Sequence, residues 1–313
     1  TNFIQLRSVL SLMMPFVFVT ASNRREGKIT GGHEARPHSH PYVVSLQNRY
    51  LWKRYYRLCT GSILSERWIL SSGHCVTDSW AKWLALDAII GAHNLARITT
   101  SMIYPISHRI AHPLYSGGVG PYDIAMMRTS RDIRFSDTVQ PIRLPITSTN
   151  TYHISDDLLI TGWGALQSNF FYSEIPTKLQ EAKVSYLPYI DCYRAVDRLK
   201  ESYERNPLKR YHNICTGPTY GGIAGCTGDS GGPLVRYISV TNPQISETGT
   251  GAENTTPMTS TRPANTIASL TTVISWGVVP CGIRGAPTVY SNVSHYMDFI
   301  NKYLYITKIK SGA

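Results

Sequence analysis

Ser230 lies in the run Gly225-Cys226-Thr227-Gly228-Asp229-Ser230-Gly231-Gly232-Pro233-Leu234. A serine hydroxyl is a poor nucleophile at neutral pH, so a catalytic one needs a base within hydrogen-bond reach and donors aimed at the developing oxyanion. Glycines flanking the serine can supply those donors. Without a Cβ, Gly228, Gly231 and Gly232 let the backbone turn sharply and approach a substrate, leaving the amides of Gly228 and Ser230 free to converge. The same residues satisfy the G-x-S-x-G pattern of the α/β-hydrolase elbow, which requires a helix directly after the serine and then an acid and a histidine in that order. Here the extended segment Pro233-Leu234-Val235 follows, and His295 precedes Asp298. The elbow reading fails on order.

The partners lie upstream. Trp68-Ile69-Leu70-Ser71-Ser72-Gly73-His74-Cys75 brings a histidine to the end of an apolar strand, and Pro121-Tyr122-Asp123-Ile124-Ala125-Met126-Met127 brings an aspartate to the start of another. With Thr161-Gly162-Trp163-Gly164, Val139 to Pro145 and Ser275-Trp276-Gly277, the chain from Ile29 to about Leu304 resembles the chymotrypsin family of serine proteases, whose triad runs His, Asp, Ser. The resemblance implies an all-β fold of two six-stranded antiparallel barrels with a C-terminal helix and the triad in the cleft between them. It implies Ser230 as nucleophile, His74 as general base and acid, Asp123 as the group that orients the imidazole, and the amides of Gly228 and Ser230 as the oxyanion hole. Gly73 departs from the family's usual alanine, and loss of that methyl is expected to loosen the histidine slightly. The resemblance also implies cleavage after Lys28, freeing the amino group of Ile29 to pair with Asp229. A buried ammonium and carboxylate are costly apart and tolerable together.

Substrate choice should depend on the pocket for the residue before the scissile bond. Counting from the motifs assigns it Ala224, Gly225, Ser275, Trp276, Gly277 and Thr288. Ala224 stands where trypsin-like enzymes carry aspartate, and no Asp or Glu lies between Cys281 and Tyr290 to replace it. A Lys or Arg side chain would be buried without a counter-charge. The expected preference is for uncharged aliphatic or aromatic residues, chymotrypsin-like or elastase-like. Self-activation at Lys28 is therefore not expected, and a trypsin-like protease is required.

The elements that must position these groups are legible in outline. Across 313 residues, Pro41 to Leu46, Ser62 to Leu64, Trp68 to Ser71, Ala88 to Gly91, Ile103 to Ile110 and Ile124 to Met127 read as short strands between polar turns, the pattern of a barrel or sandwich. Further strands are expected at Leu234 to Arg236 and Val273 to Ser275. Tyr296, Phe299, Ile300, Tyr303 and Leu304 recur at helical spacing, predicting a helix over Ser294 to Leu304 capped by Ser294. Residues 237–272 turn to Thr, Ser, Asn and Pro and read as a disordered insertion. Asn254-Thr255-Thr256 within it and Asn292-Val293-Ser294 beyond it are acceptor patterns for N-glycosylation, at Asn254 and Asn292.

Six cysteines, Cys59, Cys75, Cys192, Cys215, Cys226 and Cys281, contain no CxxC and no zinc-ligand spacing, which favours disulfides over metal. Spacing leaves all 15 connectivities open. The family resemblance implies Cys59-Cys75, Cys192-Cys215 and Cys226-Cys281. Val9 to Ala21 is an apolar run after Arg7, too short for a membrane span, and residues 1–21 read as a secretory signal peptide whose start is missing. Residues 22–28 then form a short activation peptide and residues 29–313 the peptidase domain, secreted and monomeric.

The formal charge is +11, of which residues 1–28 carry three and the remainder eight. A surface this basic attracts acidic partners and polyanions without specifying a fold. Arg49 to Arg57 interleaves aromatic and basic residues, and Arg194 to Arg210 is a second basic run. No recognised nucleic-acid motif accompanies either, so both read as solvated loops, with polyanions or protein inhibitors as the partners they would suit beyond peptide substrates. His33, His38 and His40 have no carboxylate or cysteine at helix-type spacing and read as a solvated loop. No metal or cofactor is assigned. A binding-only relative and a lipase or esterase are the competing classes, separable by organophosphate labelling and by amide against lipid-ester turnover.

Overall fold

The structure is a computed structural model describing residues 3–5, 29–50, 54–77, 84–145, 152–154, 156–168, 173–239 and 266–311. Six strands, β1 (Val43–Tyr50), β2 (Arg54–Ile63), β3 (Trp68–Ser71), β4 (Ala85–Ile90), β5 (Ile103–Ala111) and β6 (Ala125–Thr129), close into an antiparallel barrel in the order β1-β2-β3-β6-β5-β4. The mostly apolar character of β3 and β6 has a direct cause. Successive side chains point to opposite faces, and in these two strands both faces are buried. Ile69 and Met127 face inward with Val44, Leu46, Ile63, Leu86 and Ile90. Their neighbours Leu70 and Met126 face out, into a second cluster with Trp163, Val235, Phe299 and Ile300. That second cluster joins the two halves of the molecule.

The other half is built on β7 (Leu158–Gly162), β8 (Gln180–Val184), β9 (Asn213–Thr216), β10 (Pro233–Ser239), β11 (Thr266–Val279) and β12 (Thr288–Asn292). These six antiparallel strands run β9-β12-β11-β10-β7-β8, extended at its edges by the two-residue strands Tyr186–Leu187 and His33–Glu34. Among the described residues the hydrogen bonds do not close this sheet into a ring as they close the first. It curls around Ile29, Leu158, Ile160, Ala182, Ile214, Leu234, Ile274 and Tyr290. Phe3–Gln5 adds a parallel strand along Gly277–Val279 of β11. Among the described residues two helices longer than a single turn complete the fold, α1 (Tyr189–Leu199) and α2 (Met297–Ser311).

Several sequence expectations need correction. The insertion is shorter than 237–272, because Tyr237–Ser239 and Thr266–Thr272 pair as arms of a β10–β11 hairpin, and only residues 240–265, with Asn254, lie outside the described residues. The Thr-rich composition misled because threonine is β-branched and fits a pleated surface. Thr271 is buried and its hydroxyl donates to Leu234 O at 2.8 Å. Of the run Arg49 to Arg57, Arg49–Tyr50 and Arg54–Arg57 are likewise strand rather than loop, paired as part of β1 and β2. The first part of the second basic run, Arg194 to Arg198, is helix α1. A 3-10 turn, Val293–Tyr296, precedes α2, so Ser294 does not cap it, and Asp298 in the first turn complements the helix dipole.

His40 is 3 % exposed and not solvated: its Nε2 pairs with Glu181 Oε2, while His33 Nε2 lies 3.0 Å from Glu181 Oε1. Helix-type spacing could not reveal a carboxylate that arrives from β8. The cysteines pair as Cys59–Cys75, Cys192–Cys215 and Cys226–Cys281. Each closure of this kind contributes about 2 to 4 kcal/mol. No helix among the described residues is long and apolar enough to cross a membrane. The expected signal run Val9 to Ala21, and Lys28, lie outside the described residues.

Candidate active site

The barrel halves meet where β2 crosses the Ser230 turn. Thr60 N–H donates to Ser230 O at 2.8 Å and Thr60 Oγ1 to Gly228 O at 3.0 Å, while Ser72 Oγ donates to Ile274 O at 2.6 Å. Such close approach requires Gly231, at φ +80°. A Cβ there would lie 1.9 Å from Ser71 Oγ and 2.4 Å from Thr60 O.

His74 opens a one-turn helix, His74–Thr77, at the end of β3, and Asp123 sits just before β6. Both are almost wholly buried. His74 N–H donates to Asp123 Oδ1 at 2.8 Å, and His74 Nδ1 lies 2.9 Å from Asp123 Oδ2. A third donor is Ser275 Oγ, 2.5 Å from Oδ2. Ser291 Oγ donates to the main-chain oxygen of Asp123 at 2.6 Å. A carboxylate engaged on both oxygens fixes the ring plane and leaves Nε2 for a further partner. Ser275 was assigned to the substrate pocket from sequence, but its hydroxyl is committed to Asp123. One strand can serve both the cleft wall and the acid.

The Cys75 sulfur lies 3.7 Å from His74 Nε2 and 3.8 Å from Ser230 O, so the disulfide with Cys59 packs between the histidine and the serine turn. Cys59, His74 and Cys75 bring three potential donor atoms together, but the sulfurs are bonded to each other and offer no thiolate to a metal.

Gly228 has φ +97°, a conformation that disfavours any side chain. Along this turn the N–H groups of Asp229, Gly231 and Gly232 reach the oxygens of Cys226, Ile274 and Asp229. Among the described residues the N–H groups of Gly228 and Ser230 have no acceptor. Ser230 is 6 % exposed. Two unclaimed amides flanking a serine can stabilise an oxyanion.

Asp229 is fully buried and accepts N–H bonds from Gly164, at 2.8 Å, and Cys226, at 3.0 Å. Gly162 and Gly164 wrap it so closely that a Cβ on either would fall 2.1 to 2.6 Å from its carboxylate oxygens. The Thr161-Gly162-Trp163-Gly164 motif is thus a cradle for this acid, a role that its sequence alone does not reveal. Burial pushes the Asp229 carboxyl up to about 6, against the lowering effect of the two amides. Ile29 is fully buried in the same half, and Ala224 N–H donates to Thr30 O at 3.2 Å.

Ala224, Trp276, Gly277 and Thr288 are all buried, and Gly225 N–H donates to Thr288 Oγ1 at 3.3 Å. A Cβ on Gly225 would touch Ile274 and Thr288 at 3.5 Å, so these side chains bound the space beside it. Of the glycosylation patterns, Asn292 donates its Nδ2 to Tyr211 O at 2.8 Å, a contact that an attached glycan would have to open.

Gly73 does not leave a void. A Cβ there would lie 2.9 Å from Tyr115 Cδ1 and 3.2 Å from Asp123 Oδ1, so the ring of Tyr115 occupies the space of the missing methyl. Gly73→Ala is therefore expected to destabilise the protein by about 1 to 3 kcal/mol through overpacking, measured by thermal or denaturant unfolding. A stabilised variant would show that Tyr115 yields freely.

Comparison with known proteins agrees with this architecture. Kallikrein-15 of Saguinus oedipus is 27% identical over 295 residues, covering 93% of this chain and 97% of that protein. Trypsin II-P29 of Gallus gallus is 27% identical over 278 residues (88% and 89%), and lectizyme of Glossina austeni is 29% identical over 285 residues (88% and 85%). The Trypsin family profile matches residues 29–300, nearly the whole described fold with Ser230, His74 and Asp123 inside it, and on that match the chain belongs to the trypsin family of serine endopeptidases.

Proposed function

We propose that the protein is made as a secreted zymogen and, once cleaved after Lys28, hydrolyses peptide bonds following uncharged apolar residues through a triad of Ser230, His74 and Asp123. The observation that carries this reading is Asp123 holding His74 by both oxygens while the serine turn, with the idle amides of Gly228 and Ser230, packs across Cys75 from the ring. In this mechanism Ser230 Oγ attacks the scissile carbonyl as its proton passes to His74 Nε2. Asp123 stabilises the imidazolium without taking the proton. The oxyanion is held by the two amides. The imidazolium then protonates the leaving amine, and a water activated by the same ring releases the acyl group.

Two observations support a zymogen. Asp229 has no side-chain cation facing it among the described residues, and the uncut chain keeps Phe3–Gln5 on the edge of Gly277–Val279, beside the proposed pocket. Cleavage at Lys28-Ile29 would supply the ammonium and detach that strand. Secretion is supported by the pairing of all six cysteines, since disulfides persist in oxidising compartments.

The pocket reading rests on Ala224 and Thr288, which offer a buried Lys or Arg no counter-charge. The test uses chain cleaved at Lys28, with an organophosphate label and a panel of peptide anilides. Stoichiometric labelling at Ser230 is expected, with kcat/KM for Leu or Phe exceeding that for Arg by at least about 100-fold, roughly 2.7 kcal/mol. Absent labelling favours the binding-only class, and faster Arg cleavage refutes the pocket assignment.

A further inference from the structure

Away from the cleft, a cavity of about 550 Å³ opens between helix α1 and the loops at 217–222 and 282–285. Arg194 and Arg198, one turn apart on α1, face it from one side and Arg284 from the other. All three are exposed, and the carboxylate lining the cavity is Asp191, 3.9 Å from Arg194. Among the described residues no carboxylate pairs with Arg198 or Arg284. Tyr220, 77 % exposed, also lines the cavity.

This arrangement works against stability. Like charges at i,i+4 on a helix repel, and a third guanidinium across the gap adds to the repulsion. Groups that oppose one another in the empty molecule cooperate when an anion sits between them. Arginine also presents a planar fork that matches the oxygens of a sulfate or phosphate, and an exposed tyrosine ring offers an apolar face to a sugar. The cavity is concave and of the size range of small-ligand sites, unlike a flat electrostatic stripe. Its walls are firm: Gly285 N–H donates to Thr219 O and Gly222 N–H to Gly282 O, each at 2.7 Å, and the Cys226–Cys281 disulfide joins the chain just beyond the first loop to the residue before the second.

We propose that this cavity is a binding site for a sulfated saccharide, held by Arg194, Arg198 and Arg284 with a sugar ring against Tyr220. The site is separate from the proteolytic cleft and does not depend on the pocket preference proposed above.

The probe is sucrose octasulfate, a compact sulfated disaccharide, titrated by calorimetry into the full chain at fixed moderate salt. The expected result is 1:1 binding that weakens at least tenfold in Arg198→Ala/Arg284→Ala. Arg97→Ala/Arg134→Ala, which removes the same charge elsewhere on the surface, should change it less than threefold. Replacing Arg198 and Arg284 by lysine should still cost several-fold, because the charge remains but the fork is lost. Absent binding, or equal weakening in the two alanine pairs, overturns the proposal in favour of diffuse basic attraction. Tighter binding of a sulfotyrosyl or poly-glutamate peptide than of the octasulfate overturns the saccharide assignment. These exposed arginines do not contribute to the core, and unchanged melting temperatures of the variants verify that binding alone is affected.

Discussion

Asp123→Asn is expected to lower kcat about 10⁴-fold while leaving a folded protein, the size of loss seen for the equivalent change in the family's template enzyme. The present geometry explains why so small a change should matter. Asp123 receives His74 N–H on Oδ1, and His74 Nδ1–H and the Ser275 hydroxyl on Oδ2. An asparagine offers one acceptor oxygen where the site presents donors to both. If the amide NH2 faces Nδ1, the ring must accept there and carry its proton on Nε2, where it can no longer take one from Ser230. If it faces the His74 amide, a buried donor loses its partner at about 1 to 3 kcal/mol. Either choice is damaging, and the first is catalytically fatal. Steady-state kinetics on a Leu or Phe anilide, alongside thermal melting, separates chemistry from folding. A kcat within tenfold of wild type in a stably folded variant would remove Asp123 from the mechanism.

Which parts of this site could be read from the chain depends on whether the chemistry is local in sequence. Ser230, with its glycines, is legible because the serine, its turn and the two unclaimed amides occupy neighbouring positions and constrain one another. His74 and Asp123 became legible through their order and their apolar strands. Ser275, by contrast, completes Asp123 from 152 positions away. Gly164 of the glycine cradle meets Asp229 from 65 positions away, and Glu181 lies 148 and 141 positions from His33 and His40. No periodicity links such residues, since only the closing of the sheets makes them neighbours. The hairpin arms beyond Arg236 were missed for a different reason. Their threonines count as polar in composition, yet their backbones are satisfied by a ladder running to Ser239↔Thr266. The fold class survived these misses because it rests on many short strands. The local assignments failed where long-range pairing overrode composition.

A chain made uncleavable by Lys28→Gln is expected to hydrolyse substrate at least about 100- to 1000-fold more slowly than chain cut between Lys28 and Ile29, the cost of losing one oxyanion donor. The reason is Asp229, whose backbone shares the Gly228 turn. Buried without a cation, its carboxyl is held up to about 6, whereas the unfolded chain titrates near 3.8. A raised carboxyl pKa means that the folded uncut chain binds the proton more tightly than the unfolded one. Below about pH 3.8 the group is protonated in both states and costs nothing. Between about 4 and 6 stability falls as pH rises, and above about 6 the full penalty stands, about 3 kcal/mol for a shift of this size. Unfolding free energies of the Lys28→Gln chain, with and without Asp229→Asn, isolate that dependence because the other titrating groups cancel. Relative to the same chain carrying Asp229→Asn, the uncut chain should gain up to about 3 kcal/mol on acidification from about pH 6.5 to about pH 4. After cleavage the Ile29 ammonium, if paired with Asp229 as proposed, is expected to lower the carboxyl's pKa, so the loss on raising pH should vanish. A new loss of activity should then appear in the alkaline range, as the ammonium itself deprotonates. An uncut chain with the activity of the cut one, or a pH dependence that Asp229→Asn leaves intact, would show that the serine turn is set without that pair.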